Sequence, residues 1–132
     1  RFEVVRREPL VVMDGGHNPQ CMAALVENVE DYLSGRPLTI LTGVMGDKDY
    51  AHMYTPLLPY TARFITVTPD DPRALPAQEL AAYLTPLGKP VTACGSVADG
   101  AALALDSTPP GGAVLCCGSL YLMGEAEAAL IP

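Results

Sequence analysis

One alternation constrains this chain more than any other feature: short, apolar, mostly β-branched runs separated by patterns of helical period. Five such runs occupy residues 10–13, 38–42, 64–67, 91–94 and 113–117. Each is too short for a helix and too uniformly apolar for a sheet wetted on one face. Strands of a parallel sheet covered on both sides read this way. Residues 2–5 alternate in polarity and read as a short leading strand.

Between the runs, Met22, Leu25, Val29 and Leu33 recur at helical spacing, leaving Glu27, Glu30 and Asp31 for water and Pro19 in the first turn. Leu80, Leu84 and Leu87 form a second stripe between Pro76 and Gly88, and Val97, Ala101 and Leu105 a third. A helix is expected over 120–130, and a short one over 50–58, cut by Pro56 and Pro59. Strands and helices that alternate with short connections predict one α/β domain over 1–132. It should be three-layered and Rossmann-like, with a roughly six-stranded, mostly parallel sheet and helices on both faces.

A chain of 132 residues suits one domain. With 49% hydrophobic and 17% charged residues, it is not a disordered segment. Eight basic residues against fifteen acidic give a net charge of −7, which argues against a protein that tracks a nucleic-acid backbone. No apolar run approaches the roughly 20 residues of a membrane helix, so neither nucleic acid nor membrane is expected as a partner. Cys21, Cys94, Cys116 and Cys117 form no C-x-x-C pair, and neighbours on a strand point to opposite faces. Buried, reduced thiols and a cytoplasmic location are expected. The presence of only two histidines argues against a zinc site by spacing.

Polar and glycine residues gather after the strands, at the edge where open parallel sheets bind ligands. The first such loop is Asp14-Gly15-Gly16-His17-Asn18-Pro19. A tight turn with an Asn helix cap accounts for most of it, whereas a strand-end carboxylate beside an imidazole suits a ribose, a metal-bound phosphate or an amine. Lys48, flanked by Asp47 and Asp49, reads as a solvated cluster or as a cation that catches an anion. Arg73 reads as an anion clamp or a structural loop arginine, and Ser119 as a ligand or a helix cap. His52 is expected to be a partly buried helix residue, and Lys89 plain surface at the opposite edge. G-x-G-x-x-G, the P-loop pattern and G-x-S-x-G are all absent.

Four ordered stretches then carry a resemblance: 12–19 (VMDGGHNP), 43–50 (GVMGDKDY), 72–76 (PRALP) and 118–125 (GSLYLMGE). Together they resemble the C-terminal domain of folylpolyglutamate synthase, the third domain of the Mur-ligase superfamily. The likeness spans essentially the whole chain. Gly16 departs from it, standing where alanine is more usual, and Ala126-Glu127 stand where a basic residue is expected. The resemblance implies an ATP- and Mg2+-dependent ligase joining L-glutamate to a folate or dihydropteroate through an acyl phosphate. It also implies an N-terminal and central ATPase domain elsewhere, and since Arg1-Phe2 is no initiator, a fragment of a longer enzyme is expected.

Carried over by position, the resemblance makes Arg1 and Asp14, thirteen residues apart, ATP contacts. His17 becomes a catalytic candidate at the phosphate and glutamate end, and Lys48, Ser119 and Arg73 become substrate-binding candidates. No metal ligand is assigned. The alternative inside the superfamily is a Mur-type peptidoglycan ligase, against which the Gly-Ser-Leu-Tyr-Leu-x-Gly-Glu pattern speaks. Outside it stands a non-catalytic nucleotide-binding or receiver-like α/β module, for which Lys48 comes too early in the chain.

Overall fold

The computed structural model describes residues 2–16, 18–46 and 50–131. Its strands are β1 (Glu3–Arg7), β2 (Leu10–Asp14), β3 (Leu38–Thr42), β4 (Thr61–Thr66), β5 (Val91–Ala93) and β6 (Ala113–Cys117). Its helices are α1 (Pro19–Leu33), α2 (Ala51–Tyr54), α3 (Ala77–Leu84), α4 (Val97–Ser107) and α5 (Leu120–Leu130). The six strands form one sheet in the order β1-β2-β6-β3-β4-β5. All pairings are parallel except that of the leading strand β1, which lies antiparallel on β2.

Side chains alternate across this sheet and divide the core in two. One face carries Val12, Ile40, Phe64 and Leu115 against α1, α2 and α3, through Leu25, Val29, Tyr54, Leu80 and Leu84. The other carries Val11, Leu41, Ile65 and Val114 against α4 and α5, through Ala101, Ala104, Leu122 and Leu130. Cys116 and Cys117 fall in opposite clusters, as strand alternation requires. Burying each large aliphatic side chain contributes about 1.5–3 kcal/mol, which is why these runs decide the fold.

The α1 stripe buries Met22, Leu25, Val29 and Leu33, as expected. Asn18 caps it, its side chain accepting from the Cys21 N–H at 2.9 Å. Other expectations need correcting. β4 starts at Thr61, earlier than its apolar run, because Thr61 and Arg63 pair with β3 despite their polarity. The second stripe ends its α-helix at Leu84, and Leu87 lies in a 3-10 turn closed by Gly88 at φ +100. In α4 the sheet-facing position is Ala104, with Leu105 only half-buried. His52 is exposed on α2, and Cys21 and Cys94 are half-buried rather than buried. Among the described residues no helix is long and apolar enough to cross a membrane.

Candidate functional site

The parallel register brings the last residues of four strands side by side. Asp14 pairs with Cys117, Cys117 with Thr42, and Thr42 with Thr66. Alternation points all four to the α1–α3 face, so a rung of hydrogen-bonding groups crosses the carboxyl end of an otherwise apolar sheet. Every member is buried, with Asp14 the most accessible at 5%.

Each polar group on this rung has a partner, as burial demands. The Asp14 carboxylate accepts from the Gly16 N–H at 2.8 Å, which folds the chain sharply toward α1. A Cβ on Gly16 would lie 2.6 Å from the Cβ of Cys21 and 3.0 Å from Asp14 Oδ1, so the glycine at this departure from the family pattern lets α1 sit close. Thr42 Oγ1 and the Tyr54 hydroxyl lie 2.8 Å apart in a fully buried pair. Thr66 donates to the Ala77 carbonyl at 2.9 Å. Burial, with the Asp14 charge nearby, pushes the Cys117 thiol up to about 12, offset by its hydrogen bond to Thr42. Burial likewise pushes the Tyr54 phenol far up, so both groups stay protonated.

The loops above the rung touch one another. Gly118, at φ +125, would place a Cβ 2.5 Å from the Gly43 carbonyl oxygen, so the turns after β6 and β3 meet backbone to backbone. Ser119 follows, 4% exposed, and caps α5 by accepting from the Tyr121 N–H at 3.1 Å. Arg73, in the β4–α3 loop, pairs with Asp71 at 3.2 Å and lies 4.8 Å from the centroid of the Tyr121 ring. That pairing lowers the Asp71 carboxyl below its usual range and holds the guanidinium cationic. Leu120 and Tyr121 are exposed by 62% and 57%, an apolar step beside Asp14-Gly15.

Asp14, Ser119 and Arg73 thus gather along one edge. Arg1, His17 and Lys48 lie outside the described residues, although the segments that lead to His17 and Lys48 belong to that same edge. Sequence reasoning gives no role to Thr42, Tyr54 or Cys117; two strand-ending threonines and a cysteine at matching register were the available signal. The Tyr121 partner of Arg73 carried no signal, because the two are 48 positions apart. Among the described residues no group of three His, Cys, Asp or Glu is placed to hold a metal ion. A carboxylate offers about four lone-pair sites, so Asp14 fits hydroxyl donors such as those of a ribose.

The probable bifunctional folylpolyglutamate synthase/dihydropteroate synthase of Haloferax volcanii is 37% identical over 128 residues, which are 96% of this chain and 15% of that protein. A Mycobacterium tuberculosis folylpolyglutamate synthase complexed with ADP and AMPPCP superposes with a TM-score of 0.88 at 25% identity, over 98% of this chain and 31% of that one. A bifunctional folylpolyglutamate synthase/dihydrofolate synthase with Mn, AMPPNP and L-glutamate bound gives 0.86 at 26% identity, over 98% and 31%. The chain therefore spans about a seventh of the curated relative and under a third of the solved structures. The model of the family "Mur ligase, glutamate ligase domain" matches residues 1–120, and with the strand order and the loop motifs in place, the chain belongs to that family.

Proposed function

We propose that this chain is the glutamate-ligase domain of a longer, cytoplasmic, ATP-dependent folylpolyglutamate or dihydrofolate synthase, working against a central domain that carries the P-loop. The observation that carries the reading is the carboxyl edge, where Asp14 pairs in register with Cys117, two residues before Ser119, and the Gly118 turn packs on Gly43. The relative with Mn, AMPPNP and L-glutamate bound shares this fold over 98% of the chain, which supports ATP and glutamate as substrates of the whole enzyme. Exposed Leu120 and Tyr121 suit a surface that closes on another domain. Four free cysteines suit a reducing compartment.

ATP first phosphorylates the folate or dihydropteroate carboxylate, releasing ADP. The neutral amine of glutamate then attacks the acyl carbon, a C–N bond forms, the C–O bond to phosphate breaks, and inorganic phosphate leaves as the amine gives up a proton. This chain's part is proximity and exclusion of water, which would otherwise hydrolyse the acyl phosphate. Asp14 accepts from the nucleotide's ribose, and Arg1 pairs with its phosphate or stacks on its base. Lys48 anchors a glutamate carboxylate, Ser119 orients the amino acid, and His17 orients or deprotonates the amine without repelling it. Mg2+, bound mainly by the central domain, would neutralise phosphate charge, and no group of ligands for it is found among the described residues.

The test is glutamate-dependent ADP release with a folate or dihydropteroate acceptor. The full-length enzyme should show it, and the isolated 132-residue chain should fold yet show none. ADP release from the isolated chain, or a full-length enzyme that takes a peptidoglycan precursor instead of a folate, would overturn the reading.

A further inference from the structure

We infer that an apolar groove between β1 and α1 seats the polypeptide segment that joins the central domain to this one. The inference rests on the reading above that a central domain precedes this chain. β1 is an outermost strand of the sheet. One of its faces is covered: Val5 packs into the α4–α5 cluster, and Arg6 Nη1 donates to the Leu130 carbonyl at 3.1 Å. The other face is open. α1 buries Met22, Leu25, Val29 and Leu33 against the sheet and leaves a groove of about 550 Å3 between itself and β1.

Val4, Leu10 and Val12 form the strand wall of this groove and Asn28 and Tyr32 its helix wall, with Phe2 at the end where β1 begins. The Phe2 and Tyr32 ring centroids lie 6.0 Å apart. Val4 is exposed by 43% and Tyr32 by 68%, so the apolar surface is open to water in this chain alone. None of the described lining residues is charged, and the groove therefore lacks the convergent polar groups that orient a small polar ligand. It fits the apolar side chains of a polypeptide.

Length and connectivity choose the occupant. The chain covers under a third of the solved relatives, so most of the full-length enzyme lies outside it. A preceding domain enters through β1, the first strand, and Phe2 at its start lines the groove. The joining segment is thereby tethered beside the groove at an effective concentration in the millimolar range, and a small apolar contact suffices to seat it. A second copy of the chain fits less well. Stable dimers bury about 800 Å2 per partner, far more than one groove offers, and the net charge of −7 repels a like chain. The register shift between Val4 and Arg6, followed by Arg7 and Glu8, also blunts the free edge of β1 against strand pairing.

The experiment is photo-crosslinking in the full-length enzyme with p-benzoylphenylalanine in place of Tyr32, the captured peptide being mapped by mass spectrometry. Capture should be intramolecular and fall within about ten residues before Arg1, because an extended chain spans about 3.3–3.6 Å per residue. The same probe at Ala82, exposed on α3, should capture none of that segment. A second measurement keeps the native backbone chemistry and follows proteolysis of the joining segment. Tyr32→Glu should speed its cleavage about five- to tenfold, and Tyr32→Phe should leave it unchanged. Capture elsewhere in the enzyme, cross-linked dimers, no more capture at position 32 than at 82, or cleavage unaffected by Tyr32→Glu would each overturn the inference. Neither readout uses a substrate. An enzyme that ligates a different amino acid or acceptor therefore overturns the function reading and leaves this test standing.

Discussion

Replacing Gly118 by alanine puts a methyl group where the structure has no room and the backbone no tolerance. At φ +125 an L-residue is strained, at about 1–3 kcal/mol. The new Cβ would stand 2.5 Å from the Gly43 carbonyl oxygen and 2.7 Å from Thr42 Oγ1. The first of these is backbone, so the clash cannot be relieved by a rotamer change, and overpacking adds about 1–3 kcal/mol. A loss of about 2–6 kcal/mol is expected. With an unfolding entropy near 0.28 kcal/mol/K for a chain of 132 residues, Tm should fall by roughly 7–21 °C. Gly124→Ala is the matched control. It lies exposed inside α5 with nothing within 4 Å of an added methyl, so the same chemical change should raise Tm by about 2–4 °C through helix propensity. Calorimetric or circular-dichroism melting of the 132-residue chain reads both. A Gly118→Ala protein as stable as wild type, or a Gly124→Ala protein that melts early, would refute the argument from loop contact.

The buried Thr42–Tyr54 pair predicts that Tyr54→Phe, which strands a threonine hydroxyl with one partner fewer, costs about 1–3 kcal/mol in chemical denaturation. Thr42→Val added to it should cost less than its own single-variant loss, and strict additivity would show the two hydroxyls do not interact. Alkaline pH gives a signed test, because Cys117 titrates at about 12 in the folded protein against an ordinary 9.0. Below pH 9 both states hold the proton, and above it only the folded state does. Stability should therefore fall between pH 9 and 12 by about 1.4 kcal/mol per unit for this group, with Cys116 adding to the slope. Cys117→Ala should flatten the decline, and an unchanged slope would remove the thiol from it.

The fold was legible because burial on both faces makes each central strand a continuous apolar run, and 113–117 and 38–42 were placed to the residue. Errors came where that condition fails. β5 lies at the sheet edge with only half-buried residues, and β4 begins with Thr61, whose hydroxyl is satisfied by the Leu57 carbonyl at 2.8 Å rather than by an apolar neighbour. In α4, helical spacing alone could not choose between Ala104 and Leu105, because the close approach of Gly100 to Val67 rotates the helix toward its small side chains. Caps at Asn18 and Ser119 and the strand-end Asp14 were readable from local chemistry. The rung of Asp14, Cys117, Thr42 and Thr66 was not, since it exists only once the order β2-β6-β3-β4 is known. The Arg73–Tyr121 contact is of the same kind, made by the β4–α3 loop and the first turn of α5, which no local pattern brings together.

The central claim is that one edge serves two ligands through different residues, and the most direct measurement separates them in the full-length enzyme. ATP and glutamate KM values would be determined for Asp14→Ala and Lys48→Ala side by side. Loss of a charged anchor should weaken glutamate use by Lys48→Ala at least about tenfold while leaving ATP nearly unaffected. Asp14→Ala should raise the ATP requirement and spare glutamate. Two variants that shift the same substrate, or a Lys48→Ala enzyme that saturates with glutamate normally and is merely less stable, would contradict the account.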